Sequence, residues 1–158
     1  MTDNAEKSKI LVCINDSDYS RVALRFASSK AKNTHNALTI LHVVNTAEVQ
    51  SALAVGDVMR QEMIENAEKL LEKYSQEALQ WADVTPCVMI REGIMGEEIV
   101  KTVKEDSNIN MVVLGTSPDT PGRGNLLPWL ISRLGSELLI PMTIVPGNLT
   151  EQQIRSLA

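Results

Sequence analysis

Aromatic residues are scarce: Trp, Tyr and Phe together make 3% of the 158 residues. Stacking platforms for nucleic-acid bases are therefore few. An excess of positive charge is missing as well. Fifteen Lys and Arg stand against 20 Asp and Glu, giving a net charge of −5. The chain thus lacks the basic footprint of most nucleic-acid binders. No apolar run approaches the ~20 residues of a membrane-spanning helix. Residues 1–9 are polar and mixed in charge, without the apolar stretch of a secretory leader. Cysteine is limited to Cys13 and Cys87, far apart and without metal-ligand spacing, which disfavours a disulfide framework and a zinc site. Histidine is limited to His35 and His42, and neither has a carboxylate and a nucleophile at a spacing that builds a triad. Internal repeats and low-complexity blocks are absent. What remains is a globular composition, 44% hydrophobic and 22% charged, with the size of one domain. The expectation is a cytoplasmic protein with no metal, no cofactor, no catalytic residues and neither nucleic acid nor membrane as partner.

What is present alternates. Apolar runs occur at Ile10–Ile14, Ala37–Val44, Val84–Ile90, Met111–Leu114 and Met142–Val145. Runs that are apolar on both faces read as buried parallel strands. The third is the weakest, because Pro86 suits an edge or a strand start. Between the runs lie helical periods. Ala23, Phe26, Ala27 and Ala31 follow one face of a helix, with Ser17 as its N-cap. Met59, Met63, Ala67, Leu70, Leu71, Tyr74, Ala78 and Trp81 mark a long helix over 57–82, its methionines read as core filler. Ile99, Val100 and Val103 mark a third, with Glu97 and Glu98 in the first turn where the helix dipole favours carboxylates. Leu127, Leu130, Ile131, Leu134 and Leu138 mark a fourth. Strands alternating with helices require right-handed crossovers and give an α/β, doubly wound three-layer sandwich. Ligands of such sheets sit at the carboxyl ends of the strands, where strand order reverses.

Several stretches, taken in order, resemble the universal stress protein family. They are ILVCINDSDYS over Ile10–Ser20, LHVV over Leu41–Val44, REGIMGEEI over Arg91–Ile99, VVLGT over Val112–Thr116 and IPMTIV over Ile140–Val145. The resemblance implies a five-stranded parallel sheet of order 3-2-1-4-5 with about four helices over residues 1–146. A tail over 147–158 follows. It also implies a homodimer made through the fifth strand, Met142, Thr143, Ile144 and Val145. That segment is short, apolar and last in order, so an uncovered edge there invites pairing.

Nucleotide-binding members of that family carry an aspartate after the first strand and a loop of the form G-x2-G-x9-G-[ST] after the fourth. Backbone N–H groups of such a loop cradle phosphate oxygens. Here the aspartate position is Asn15, and the loop falls on Gly115, Pro118, Pro128 and Trp129. Proline has no N–H to offer a phosphate. The backbone contact to adenine would fall at Val43, and Thr116 follows the surviving glycine. Gly122, Arg123, Gly124 and Asn125 form a remaining glycine-containing stretch that is either an alternative anion site or a plain surface loop. Trp129 is expected either to fill phosphate space or to pack on a neighbouring loop.

The resulting expectation is a stress-response regulatory dimer that does not bind ATP or AMP through the usual loop. The alternatives are a nucleotide-binding member with weak ATP hydrolysis and a pure protein-interaction module. A phosphoacceptor receiver domain would need an aspartate and a lysine where Arg91 and Pro146 stand. Cys13 and Cys87 both read as buried small hydrophobes, His42 as a packed strand residue and His35 as exposed. Thr150 and Gln153 fit a capping box for a short tail helix, expected to dock across the dimer.

Overall fold

Along the first strand, Lys9–Cys13 (β1), side chains alternate between two separate cores. Ile10 and Val12 enter one, Leu11 and Cys13 the other. All four are almost wholly shielded from solvent, as a central strand covered on both faces must be. The computed structural model describes residues 7–47, 53–117 and 126–158. After β1 come α1 (Asp18–Thr34), β2 (Ala37–Val44), α2 (Leu53–Ala82), β3 (Cys87–Glu92), α3 (Met95–Glu105) and β4 (Ile109–Thr116). Then follow α4 (Leu126–Arg133), a π-helical turn over Leu134–Leu138, β5 (Met142–Pro146) and α5 (Glu151–Leu157). The strands pair in parallel in the order β3-β2-β1-β4-β5, the α/β three-layer arrangement the sequence implies.

Helices α1, α2 and α5 cover one face of the sheet. Their core joins Ala23, Leu24 and Ala27 of α1 to Leu71, Tyr74 and Ala78 of α2 and Ile154 of α5. Helices α3 and α4 cover the other through Ile99, Val100, Val103 and Leu130, with Leu138 from the π turn. Burying each of the Leu, Ile and Val side chains among them is worth about 1.5–3 kcal/mol.

Local signals set the helix ends. Ser17 is extended at φ −141° and its hydroxyl accepts from the Ser20 amide at 3.3 Å, so it caps α1. The helix ends at His35, exposed and left-handed at φ 57°. Strand β3 begins only at Cys87, directly after Pro86, and its edge position leaves Cys87 exposed rather than buried. Helix α2 begins at Leu53, ahead of the expected start. Its core face starts near Ala67, because Met59 stands half exposed and Met63 faces a cavity.

The tail helix has its capping box: Gln153 N–H donates to Thr150 Oγ1, and Thr150 N–H donates to Gln153 Oε1 at 2.9 Å. Ile154 is 1% exposed against its own chain, with Leu149 beside it. The tail therefore packs on its own domain through Ile154. Ile154 is taken up by the core beside α1, while Leu157 stays exposed.

Candidate functional site

The order of the sheet reverses at β1, which lies between β2 and β4. The carboxyl ends of these three strands are where a doubly wound sheet leaves a crevice. Asn15, in the turn that follows β1, is engaged on every side. Its Oδ1 accepts from the Ser17 hydroxyl and from Ser20 Oγ at 2.8 Å, and its Nδ2 donates to Tyr19 Oη at 3.1 Å. Its backbone N–H lies 2.9 Å from Ser20 Oγ. The carboxamide therefore closes its own turn. A carboxamide has two donors and one acceptor oxygen, and most of that capacity is used here.

Gly115, at the end of β4, has a steric reason of its own. A Cβ there would lie 2.5 Å from the Tyr19 carbonyl oxygen. The absent side chain lets the first turn of α1 lie directly on β4. Thr116 C=O in turn accepts from Gly147 N–H at 2.9 Å, which ties the end of β4 to the exit of β5. Gly122, Arg123, Gly124 and Asn125 lie outside the described residues, as does Pro118. Pro128 and Trp129 fall in the first turn of α4. Trp129 packs against α3, where a Cβ on Gly96 would meet its ring at 2.7 Å, and the Arg133 guanidinium lies 4.7 Å over that ring. Its neighbour is thus a helix.

Beside Val43 the strand ends do open. A cavity of about 420 Å³ lies between the end of β2 and the N-terminal half of α2, bounded by Asp16, His42, Val43, Asn45, Met63 and Asn66. His42 Nδ1 sits 2.8 Å from the Ile14 carbonyl. A carbonyl only accepts, so Nδ1 is the donor in this bond and Nε2 is left for another partner. The wall is thus part apolar, from Val43 and Met63, and part polar, from two carboxamides, an imidazole and a carboxylate. Such a mixture suits a small organic ligand oriented by a few hydrogen bonds. Of these residues, sequence reasoning singled out Val43 for the ligand. The missed signal was Asn66, a polar residue on the otherwise apolar face of Met63, Ala67 and Leu70.

Ion pairs hold the surrounding strand ends. Arg60 of α2 grips Glu92 at the end of β3 with two parallel bonds, Nε–Oε1 at 2.7 Å and Nη2–Oε2 at 2.6 Å. The hydrogen bond from Arg60 holds the Glu92 carboxyl below the ordinary range. Glu98 is buried in the first turn of α3, 3.7 Å from Arg91 and 3.2 Å from Lys101. It acts there as a strut between α3 and β3 as well as a partner of the helix dipole. Among the described residues no cluster of His, Cys, Asp and Glu could hold a metal ion, and no helix is long and apolar enough to cross a membrane.

Residues 7–146 match the model of the Universal stress protein family. Among solved structures, the chain is similar to the universal stress protein UspA from Lactobacillus plantarum, with 20% identity over 89% of this chain and 98% of that one, and a TM-score of 0.71. A universal stress protein family member from Burkholderia pseudomallei shares 19% identity over 89% and 97%, with a TM-score of 0.69. The universal stress protein from Archaeoglobus fulgidus in complex with dAMP shares 15% identity over 89% and 98%, with a TM-score of 0.67. These likenesses speak for the fold. A comparison with curated proteins gives no match.

Proposed function

The chain belongs to the universal stress protein family, and from that premise we propose that it is a regulatory, non-catalytic member acting as a cytoplasmic dimer in the stress response, one that does not hold ATP by the usual glycine loop. The observation that carries this reading is the Asn15 turn. The group standing where binding members have a ligand-facing carboxylate is bonded to Ser17, Tyr19 and Ser20. Proline at Pro118 and Pro128 supplies no N–H for phosphate, and Gly115 is required by the packing of α1. Each lost charge-assisted hydrogen bond is worth roughly 1.5–3 kcal/mol. Two or three such losses move a micromolar site to a dissociation constant weaker than ~1 mM. Calorimetric titration with magnesium and ATP tests this, and a dissociation constant of a few micromolar overturns it.

Support for the dimer comes from β5, which ends the sheet with Met142, Thr143 and Ile144 only half covered. Two-fold pairing there would be antiparallel, with the same residues on both sides. A charged replacement at Ile144 should then give monomer in sedimentation, and an unchanged dimer places the interface elsewhere.

The cavity beside His42 favours a second reading, a nucleotide-binding member whose ligand is held by its base and sugar more than by its phosphates. The relative from Archaeoglobus fulgidus solved with dAMP makes AMP the natural test ligand. Binding of AMP with affinity equal to or better than ATP, lost on His42→Ala, would select this reading.

A further inference from the structure

Away from the strand ends, one groove on the outer side of α1, α2 and α5 gathers positive charge that the net charge of −5 does not anticipate. It measures about 340 Å³ and is bounded by Arg21, Arg25, Lys73, Glu77, Trp81 and Arg155. Two of the four cations are already engaged: Glu77 binds Arg21 and also Arg25, at 2.9 Å to the latter, and Arg25 further reaches Glu151 at 3.2 Å. The other two, Lys73 and Arg155, have no carboxylate partner among the described residues. Of the charged residues that bound the groove itself, four are cations and one, Glu77, is a carboxylate, so its lining is positive.

The forks are also held in place before any ligand arrives. Trp81 is fixed by its indole N–H, which donates to Ser29 Oγ at 2.7 Å. The Arg155 guanidinium lies over its ring at 3.8 Å and that of Arg25 at 4.7 Å. Stacking occupies the face of a guanidinium and not its in-plane N–H donors; those of Arg25 are partly taken by Glu77 and Glu151, while those of Arg155 meet no carboxylate among the described residues. Planar forks of this kind match phosphate oxygens in pairs, and holding them beforehand lowers the ordering cost of binding. With its ring already stacked by guanidinium groups, Trp81 is poorly placed to stack a base.

From this geometry we infer that the α1–α2–α5 groove is a binding site for a compact anion carrying two or more linked phosphate groups. Arg155 belongs to α5, beyond residues 7–146 that match the family model, so the site depends on this chain's own tail. The inference stands independently of whether the strand-end cavity binds a nucleotide.

The test is titration of the full-length protein with inorganic pyrophosphate at low ionic strength. Calorimetry and the Trp81 indole N–H signal in nitrogen–proton correlation spectra are the two readouts. The expected result is sub-millimolar binding that moves the Trp81 signal. Lys73→Gln and Arg155→Gln should each weaken it about tenfold or more. Lys73 is exposed and has no role in docking the tail, so Lys73→Gln keeps the test decisive even if Arg155→Gln loosens α5. ADP binding tighter than pyrophosphate, read at Trp81, would identify the diphosphate of a larger molecule as the ligand, and equal binding the free anion. Either supports the site. Absence of binding below 10 mM (on the order of −3 kcal/mol) overturns it. So do parent-like affinity in both variants, orthophosphate acting equally at matched ionic strength, and signals that move at His42 and Val43 instead.

Discussion

Replacing Gly115 with alanine separates packing from ligand binding as the reason for that glycine. The added Cβ would stand 2.5 Å from the Tyr19 carbonyl oxygen, 3.0 Å from its carbon and 3.2 Å from Ala23 Cβ. Even a close carbon–oxygen contact is on the order of 3.3 Å, so α1 or β4 would have to move by roughly 0.8 Å. The obstruction is backbone, so no side-chain rotation relieves it. Overpacking of this kind costs about 1–3 kcal/mol. Alanine would return at most about 1 kcal/mol by restricting the unfolded chain. The net expectation is a loss of about 1–2 kcal/mol, or a fall in Tm of about 2–8 °C for a chain of this size. Gly135 supplies the control, since a Cβ there meets nothing within 4 Å. Gly135→Ala should be neutral or slightly stabilising. Thermal and urea unfolding followed by circular dichroism measure both. A Gly115→Ala protein as stable as its parent refutes the packing argument and returns Gly115 to a ligand role.

Ile154→Ala should cost about 2–5 kcal/mol, because Ile154 is buried in its own domain. A parent-like unfolding curve would undo the docking of the tail. Burial pushes the Cys13 thiol up to about 12, while Cys87 is exposed. A thiol reagent at pH 8 should therefore label the native protein once, at Cys87, and twice after unfolding. The hydrogen bond from Lys9 holds the Asp106 carboxyl below its ordinary range. A lowered carboxylate pKa stabilises the fold above the unfolded value and loses that contribution as pH falls through the folded one. Asp106→Asn should thus be less stable than the parent by up to about 1 kcal/mol at pH 7. The difference should shrink as pH falls below the ordinary aspartate range and through the lowered folded value, and a gap that stays undiminished in strong acid would contradict the pairing.

The five strands, their parallel arrangement and the caps at Ser17 and Thr150 were legible in the chain. Each depends on short-range patterning: apolar runs buried on both faces, a side chain reaching an amide three residues on. Cys87 was misread because an edge strand and a central one share a composition, and only pairing decides which face is covered. Met63 and Asn66 were not separable from core residues, since helical periodicity says which side faces inward but not whether the neighbour reaches it. The roles of Asn15 and Gly115 turned on contacts across the turn after β1 and between α1 and β4. The tail's helix was written in its own residues. Its docking surface was not, because the core beside α1 that receives Ile154 exists only once α1 and α2 have packed on the sheet. The grouping of Arg25, Lys73, Trp81 and Arg155 has the same origin. Residues that far apart in the chain acquire a common electrostatic field only when three helices pack against one another.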